Sequence, residues 1–198
     1  MRHRIIIGIM SLMITGTSLA TTVSNYHPTL TSGATKKGEC FTSSVAVVRP
    51  DAWRCTVGNE IYDPCFTTPA KNKLVCDIDP SKSKEGFFLE LIKPLPAATD
   101  LIAAPTINVW MFKLMDGSTC TPFTGTMPII ETNSGTLVLK YGCHDPNLKN
   151  PKITVGILDD SLKIGSTWQA KKAYFIITET QKPRIIKVEA VNVDTVWQ

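Results

Sequence analysis

Six cysteines, at positions 40, 55, 65, 76, 120 and 143, constrain what this chain of 198 residues can fold into more than any other feature. Their number is even, and the successive spacings of 15, 10, 11, 44 and 23 contain no C-x-x-C pair and fit no common zinc pattern. They read as three disulfides, which form outside a reducing cytosol, and no metal site is expected. Several pairings are open to six cysteines, and sequence does not choose among them rigorously. Cys120 follows the turn-like DGST and Cys143 ends the strand-like TLVLKYGC, so these two are expected to staple the C-terminal half. The other four are clustered and should close short loops, Cys40 with Cys55 and Cys65 with Cys76. Each bond is worth about 2–4 kcal/mol in the chain-entropy picture.

The start of the chain agrees with an oxidising destination. MRHRIIIGIMSLMITGTSLA opens with Arg2, His3 and Arg4, runs through an apolar stretch from Ile5 to about Ile14, and ends in Ser18-Leu19-Ala20, a pattern that signal peptidases accept. The apolar stretch is short for a bilayer span. Residues 1–20 therefore read as a signal cleaved near Ala20, and the product as a soluble protein, secreted or periplasmic. The first cysteine lies well past the cut, where no lipid anchor could use it. The longest later apolar run, LIAAPTINVW, is broken by Pro105, so no membrane span is expected in the mature chain. Loss of Arg2 and Arg4 from the 21 basic residues leaves 19 against 17 acidic ones, a balance of +2. A nucleic-acid partner, which requires a strongly basic face, is excluded on that ground.

Residues 21–39 are polar and without periodicity and read as a flexible N-terminal arm; 40–198 reads as a single disulfide-bearing β-rich domain. FTSSVAVV has the β-branched content of a strand. RPDAWRCTVG reads as a short helix, with Pro50 at its first position, Asp51 in its first turn, Gly58 as its stop, and Trp53 and Val57 on one face. GFFLELI, TINVWMFKLM, TLVLKYGC, KITVGIL, KKAYFIIT and PRIIKVEAVNVDTVW are strands separated by turn-forming clusters. TLVLKYGC alternates, with Leu137, Leu139, Tyr141 and Cys143 on one side, whereas TINVWMFKLM is apolar on both sides and should be central. In the last strand Ile186, Val188 and Ala190 share one face and Val191, Val193 and Trp197 the other. A bulge or bend near 190–191 is expected to bury both sets. The fold class is mainly β: an antiparallel sandwich or barrel-like domain with one or two short helices, stapled by disulfides.

Chemistry has few candidates. A Ser-His-Asp or Cys-His unit needs a histidine beside its nucleophile. The mature chain offers only His27, in the arm, and His144, in YGCHDP, and no GxSxG elbow supplies a serine. His144 reads first as an exposed loop histidine. Paired carboxylates beside aromatic rings could cleave a glycosidic bond, and Asp51, Glu60 and Asp63 with Trp53 and Tyr62 meet that need in composition. The plainer reading gives Asp51 to a helix start and Asp63-Pro64 to a turn. CDIDPSKSKEG spaces Asp77, Asp79, Ser81 and Ser83 as a calcium loop does, but Lys82 stands where glycine belongs and Phe88 where the bidentate acid belongs. No phosphate-cradling loop or dinucleotide fingerprint occurs, so no cofactor is expected. Trp53 and Trp168 could border a ligand groove, although burial is the ordinary fate of tryptophan.

RPDAWRCTVGNEIYDPCF followed by LVC resembles a family of exported bacterial proteins of uncharacterised function, frequent in actinobacteria, that carry a DA-W/Y-RC segment, an N-x-I-x-DPCF segment and a further cysteine. The likeness continues through VWMFKLMDGSTC, YGCHD, STWQA and the terminal VNVDTVWQ, and leaves out the N-terminal arm. It implies an exported, disulfide-bearing domain and transfers no catalytic residue. The expectation is therefore a non-enzymatic β-domain that binds a protein or glycan at or outside the cell envelope. The alternative is a secreted hydrolase of cell-wall or polysaccharide substrates acting through Asp51, Glu60 or Asp63.

Overall fold

The computed structural model describes residues 20–82, 86–97, 109–124, 128–132, 135–158, 165–178 and 181–198. The body of the expected signal, residues 1–19, and the first part of TINVWMFKLM lie outside them. The described residues form strands β1 (Thr22–Ser24), β2 (Thr35–Ser43), β3 (Ala52–Val57), β4 (Glu60–Thr67), β5 (Lys73–Cys76), β6 (Phe87–Leu91), β7 (Met111–Leu114), β8 (Thr119–Pro122), β9 (Ile129–Thr132), β10 (Gly135–His144), β11 (Ile153–Leu158), β12 (Gln169–Thr178) and β13 (Gln181–Trp197). Among the described residues there is no helix.

Two closed systems arise from these strands. Strands β2 to β6 form a barrel in chain order, antiparallel throughout except where β6 closes on β2 in parallel. The remaining strands follow the order β1-β13-β12-β11-β10-β8-β7, with β9 beside β10. The long β13 also pairs with β7, from Val193 opposite Leu114 to Trp197 opposite Met111, so six strands of this path meet end to end in a ring. Closure hides the backbone edges that an open sheet would present.

Each disulfide joins residues directly opposed across an antiparallel ladder. Cys40–Cys55 and Cys65–Cys76 lie in the barrel and Cys120–Cys143 in the ring. The barrel is filled by four of these cysteines with Trp53, Leu74, Phe87 and Leu89. Every strand of the ring contributes to a second core, which includes Phe112, Leu114, Cys120, Tyr141, Ile157, Ala170, Val193 and Val196. A third core joins the two bodies: Val47, Ala52 and Phe66 of the barrel meet Trp110, Met111 and Trp197 of the ring. A fourth, around Leu139, Leu158 and Phe175, lies on the other face of the ring strands.

Strand β3 stands where the sequence suggested a helix. Trp53 and Cys55 cannot share a helical face, but residues two apart share a strand face, and both are buried in the barrel. That burial, with pairing on both sides, outweighs the local signals of Pro50 and Gly58. Gly58 serves instead as the first residue of a two-residue hairpin turn, with φ of 60°. The arm is corrected as well: Thr22–Ser24 pairs in parallel with Thr195–Trp197, and β2 already begins at Thr35. Polar sequence does not prevent this, because strand pairing is made by backbone groups.

FTSSVAVV holds only the end of β2. The Ser44 hydroxyl accepts the N–H groups of Ala46 and Val47 at 3.1 and 3.0 Å, turning the chain so that Val47 enters the third core. In β10 a bulge at Lys140 separates the alternating set: Leu139 faces Leu158 and joins the fourth core, whereas Tyr141 faces Ile157 and joins the ring core. In β13 the irregularities fall between Gln181 and Arg184, at Ile186 and at Asp194 rather than at 190–191. Ile186 and Val188 remain 43% and 45% exposed, whereas in the second set Val193 and Trp197 are buried and Val191 is half-buried.

Candidate functional site

Asp51, Glu60 and Asp63 lie on or beside the β3–β4 hairpin, and each is engaged by different partners. Both oxygens of Asp51 accept from Arg49, through Nε at 2.9 Å and Nη2 at 2.7 Å. The same guanidinium donates from Nη1 to the Tyr26 carbonyl at 2.6 Å and covers the Phe66 ring. Glu60 accepts the Tyr62 hydroxyl, and that bond, ahead of burial, raises the Tyr62 pKa. Lys36 donates to the same phenol oxygen at 3.4 Å and sits over Phe87, against which Tyr62 packs edge-on.

Asp63 is the most enclosed of the three, with its side chain 1% exposed. It accepts the Ser44 hydroxyl at 2.5 Å and the Val45 N–H at 3.2 Å, and Arg54 stands 3.8 Å away. Burial pushes its carboxyl above the usual aspartate range, against the opposing pull of Ser44, Val45 and Arg54. Trp53 lies inside the barrel, and its indole Nε1 has no hydrogen-bond partner among the described residues. Trp168 is buried in the ring, where its backbone N–H donates to the Thr21 hydroxyl at 2.9 Å. His144 is exposed at the end of β10, opposite Thr119. None of these residues lines the two clefts described next.

The first cleft, of about 250 Å³, lies where the chain after β1 passes the turn after β5. Its walls are Tyr26, Thr29, Leu30, Ile78 and Pro80, and its rim carries Asp79 and Lys82. Tyr26 packs against Trp110 with ring centroids 5.3 Å apart, and Trp110 meets Phe66 edge-on at 5.2 Å. Tyr26 and Ile78 thereby extend the third core to the surface. Burial, then the negative charge of Asp79, raises the Tyr26 pKa, so this phenol stays a neutral donor. Asp79 is itself steadied by Ser81, whose N–H and hydroxyl it accepts at 2.8 and 2.5 Å. A second groove of about 310 Å³ crosses the barrel beside Lys71, Leu91, Ile92, Lys93 and Pro94.

The other polar cluster is inside the ring. Lys172 on β12 is 1% exposed, and its Nζ lies 2.6 Å from Asp145 Oδ2, 2.7 Å from Asp116 Oδ2 and 2.8 Å from Ser118 Oγ. Burial disfavours every charge here, but the mutual bonds prevail: both carboxyls are held below the usual range and the lysine is raised above its own. Ser118 is fully buried, so a substrate cannot reach its hydroxyl. Among the described residues no three His, Cys, Asp or Glu side chains come together as a metal site, and no helix is long and apolar enough to cross a membrane.

No family model, curated protein or solved structure matches the chain. Sequence reasoning missed both the Tyr26 cleft and the Lys172 cluster. The cleft is assembled from stretches read as arm and turn, with no local signal. The cluster did leave a trace: Lys172 stands two residues from Ala170 and from Tyr174 in QAKKAYFIIT, a charge in the phase that carries the buried Ala170.

Proposed function

We propose that this chain is an exported, non-enzymatic β-domain that binds a glycan at or outside the cell envelope, holding one sugar ring in the Tyr26 cleft. The observation that carries this reading is the foundation of the cleft: its tyrosine rests on Trp110, in the core that joins barrel and ring. A site built on core residues is preformed, as binding sites generally are. Its volume of about 250 Å³ is smaller than the roughly 300–1,000 Å³ of sites that enclose a whole ligand. It suits one unit of a longer partner. Leu30, Ile78 and Pro80 offer apolar contact, while Asp79 can accept sugar hydroxyls at the rim. A protein partner would place one side chain in the same space.

Export is supported by the leader-like first twenty residues and by three disulfides, which call for an oxidising compartment. A binding role, rather than hydrolysis, is supported by the engagement of Asp51 by Arg49, of Glu60 by Tyr62, and of Asp63 by Ser44 and Val45. The test is calorimetric titration of the oxidised protein with soluble envelope-glycan fragments. Binding is expected, and Tyr26→Ala should abolish it; the ring also packs against Trp110, so some loss of melting temperature is expected and the titration is made where the variant is still folded. Equal binding by wild type and variant would remove the cleft from the function. Capture of an envelope protein, lost in Tyr26→Ala, would replace the glycan. Turnover of a polysaccharide that is lost in Asp51→Asn or Glu60→Gln would replace binding by catalysis.

A further inference from the structure

The Lys172 cluster brings together more than an ion pair needs. At the end of the ring where the β7–β8 turn meets the loop after β10, one buried ammonium faces two carboxylates, Asp145 and Asp116. The second oxygen of Asp145, Oδ1, accepts the backbone N–H of Asn147 at 2.8 Å, and the Tyr174 hydroxyl lies 3.4 Å from Oδ2. A nucleophile, an acyl carbon, a second carboxylate within reach of the nucleophile and a donor on the carbonyl oxygen are the parts of an acyl transfer. We propose that Lys172 and Asp145 join after folding in an intramolecular amide bond, with Asp116 as the proton shuttle.

The step balances within the cluster. Lys172 Nζ, as an ammonium, gives one proton to Asp145 Oδ2, 2.6 Å away, leaving a neutral amine beside a neutral carboxyl. The amine attacks Asp145 Cγ, and the negative charge gathering on Oδ1 is met by the Asn147 N–H. Asp116 Oδ2, 2.7 Å from Nζ, takes a second proton from the nitrogen and returns it to the departing Oδ2, which leaves as water. The products are one amide, one water and a regenerated Asp116 carboxylate; no oxidant or cofactor is consumed. The resting ion pair makes the first transfer uphill. Held reactants can reach effective molarities of about 10⁵–10⁸ M, however, and the bond need form only once in the life of a molecule.

The neighbouring sequence channels the chemistry. Pro146 follows Asp145 and has no backbone N–H, so the Asp145 carboxyl cannot cyclise onto the next residue. Asp116 precedes Gly117 and has no such protection. The amide would tie β12 to the end of β10, beside the Cys120–Cys143 bond. It is independent of the glycan reading.

The test is mass spectrometry of the folded, oxidised protein, afterwards reduced and alkylated. The chain is expected to be lighter than its sequence by one water, and a tryptic digest should contain a branched peptide joining Asp145 to Lys172. Full sequence mass after prolonged incubation of folded protein at neutral pH would overturn the proposal. So would loss of water mapped to an imide at Asp116-Gly117. Asp116→Asn should retain the full mass, since no shuttle remains; complete linkage in this variant would overturn the role of Asp116. Lys172→Arg keeps the charge and should show the full mass. The peptide map of the wild type decides the question even if a variant fails to fold.

Discussion

Barrel and ring are made of the same kind of strand and are filled in opposite ways. The five-stranded barrel holds two disulfides, one tryptophan and a few aliphatic and aromatic side chains. The ring holds a broader aromatic core, a single disulfide and, at one end, the Lys172 cluster. A small body buries too little apolar surface to offset chain entropy, so covalent staples supply what volume cannot. A larger core tolerates buried charge, provided each ion is matched, since removal of one partner leaves the other stranded. The covalent and the ionic devices each sit where the apolar core leaves room for them.

The largest expected effect breaks the barrel. Replacing Cys40 and Cys55, or Cys65 and Cys76, by alanine should cost about 2–5 kcal/mol per bond, and loss of both bonds should leave the barrel unfolded. Limited trypsin digestion read by mass spectrometry should then show cutting at Lys36, Lys37, Lys71 and Lys73, with the ring sites still protected. Protection of the barrel equal to wild type would show that its apolar packing suffices. In the ring the corresponding change is Lys172→Met, which strands Asp116 and Asp145 and should cost roughly 3–5 kcal/mol in urea unfolding. Adding Asp116→Asn and Asp145→Asn should recover most of that loss. An unchanged midpoint for Lys172→Met would mean that the cluster contributes no net stability.

Acid titration sharpens the contrast because the two bodies carry shifts of opposite sign. Asp63 in the barrel is raised by burial, so its folded form binds a proton more readily than its unfolded form. As pH rises through the ordinary aspartate value, about 3.9, towards the raised folded value, wild type should lose stability relative to Asp63→Asn; above it the difference should level off. Asp116 and Asp145 are held down by Lys172 and their other donors in spite of burial. While the pair remains ionic their contribution is complete above about pH 3.9 and is lost as pH falls through their lowered folded values. Closure of the amide removes Asp145 from titration and should erase much of that acid limb. Urea midpoints measured across acid pH for wild type, Asp63→Asn and Lys172→Arg separate the two contributions.

What could be read from sequence was the part encoded by period and by spacing. Alternation in TLVLKYGC, and the two apolar faces of TINVWMFKLM, mark buried strands because a strand repeats every two residues. Clustering of Cys40, Cys55, Cys65 and Cys76 points to short loops, and antiparallel neighbours close such loops directly. The β3 helix failed because Pro50 and Gly58 are local signals, whereas the common face of Trp53 and Cys55 is satisfied only by tertiary burial. Likewise the bulge at Lys140, which sends Leu139 and Tyr141 into different cores, depends on the partner strand β11. The cleft was illegible for a similar reason: Tyr26 acquires its support from Trp110, far away in sequence.

The smallest expected effect on stability has the clearest bearing on function. Arg49 stands in the loop between β2 and β3, yet its fork reaches both Asp51 and the backbone carbonyl of Tyr26, tying a barrel loop to the wall of the cleft. Lysine at this position retains the charge but not the planar fork, so it cannot hold Asp51 through two bonds and Tyr26 through a third. The ion pair is partly exposed, with side chains 17% and 35% accessible, and Arg49→Lys should lower stability by only about 1 kcal/mol. The proposed glycan binding should weaken by more than that small loss implies, because Tyr26 would lose one of the two bonds that hold its backbone, the other being its N–H to the Gln198 carbonyl at 3.0 Å. A melting curve together with a calorimetric titration of Arg49→Lys distinguishes the outcomes. Weakened binding with a nearly unchanged melting temperature would make Arg49 a positioning residue for the cleft. Unchanged binding would mean that the Trp110 contact and the Gln198 bond set the tyrosine without Arg49, and that the barrel loop takes no part in recognition.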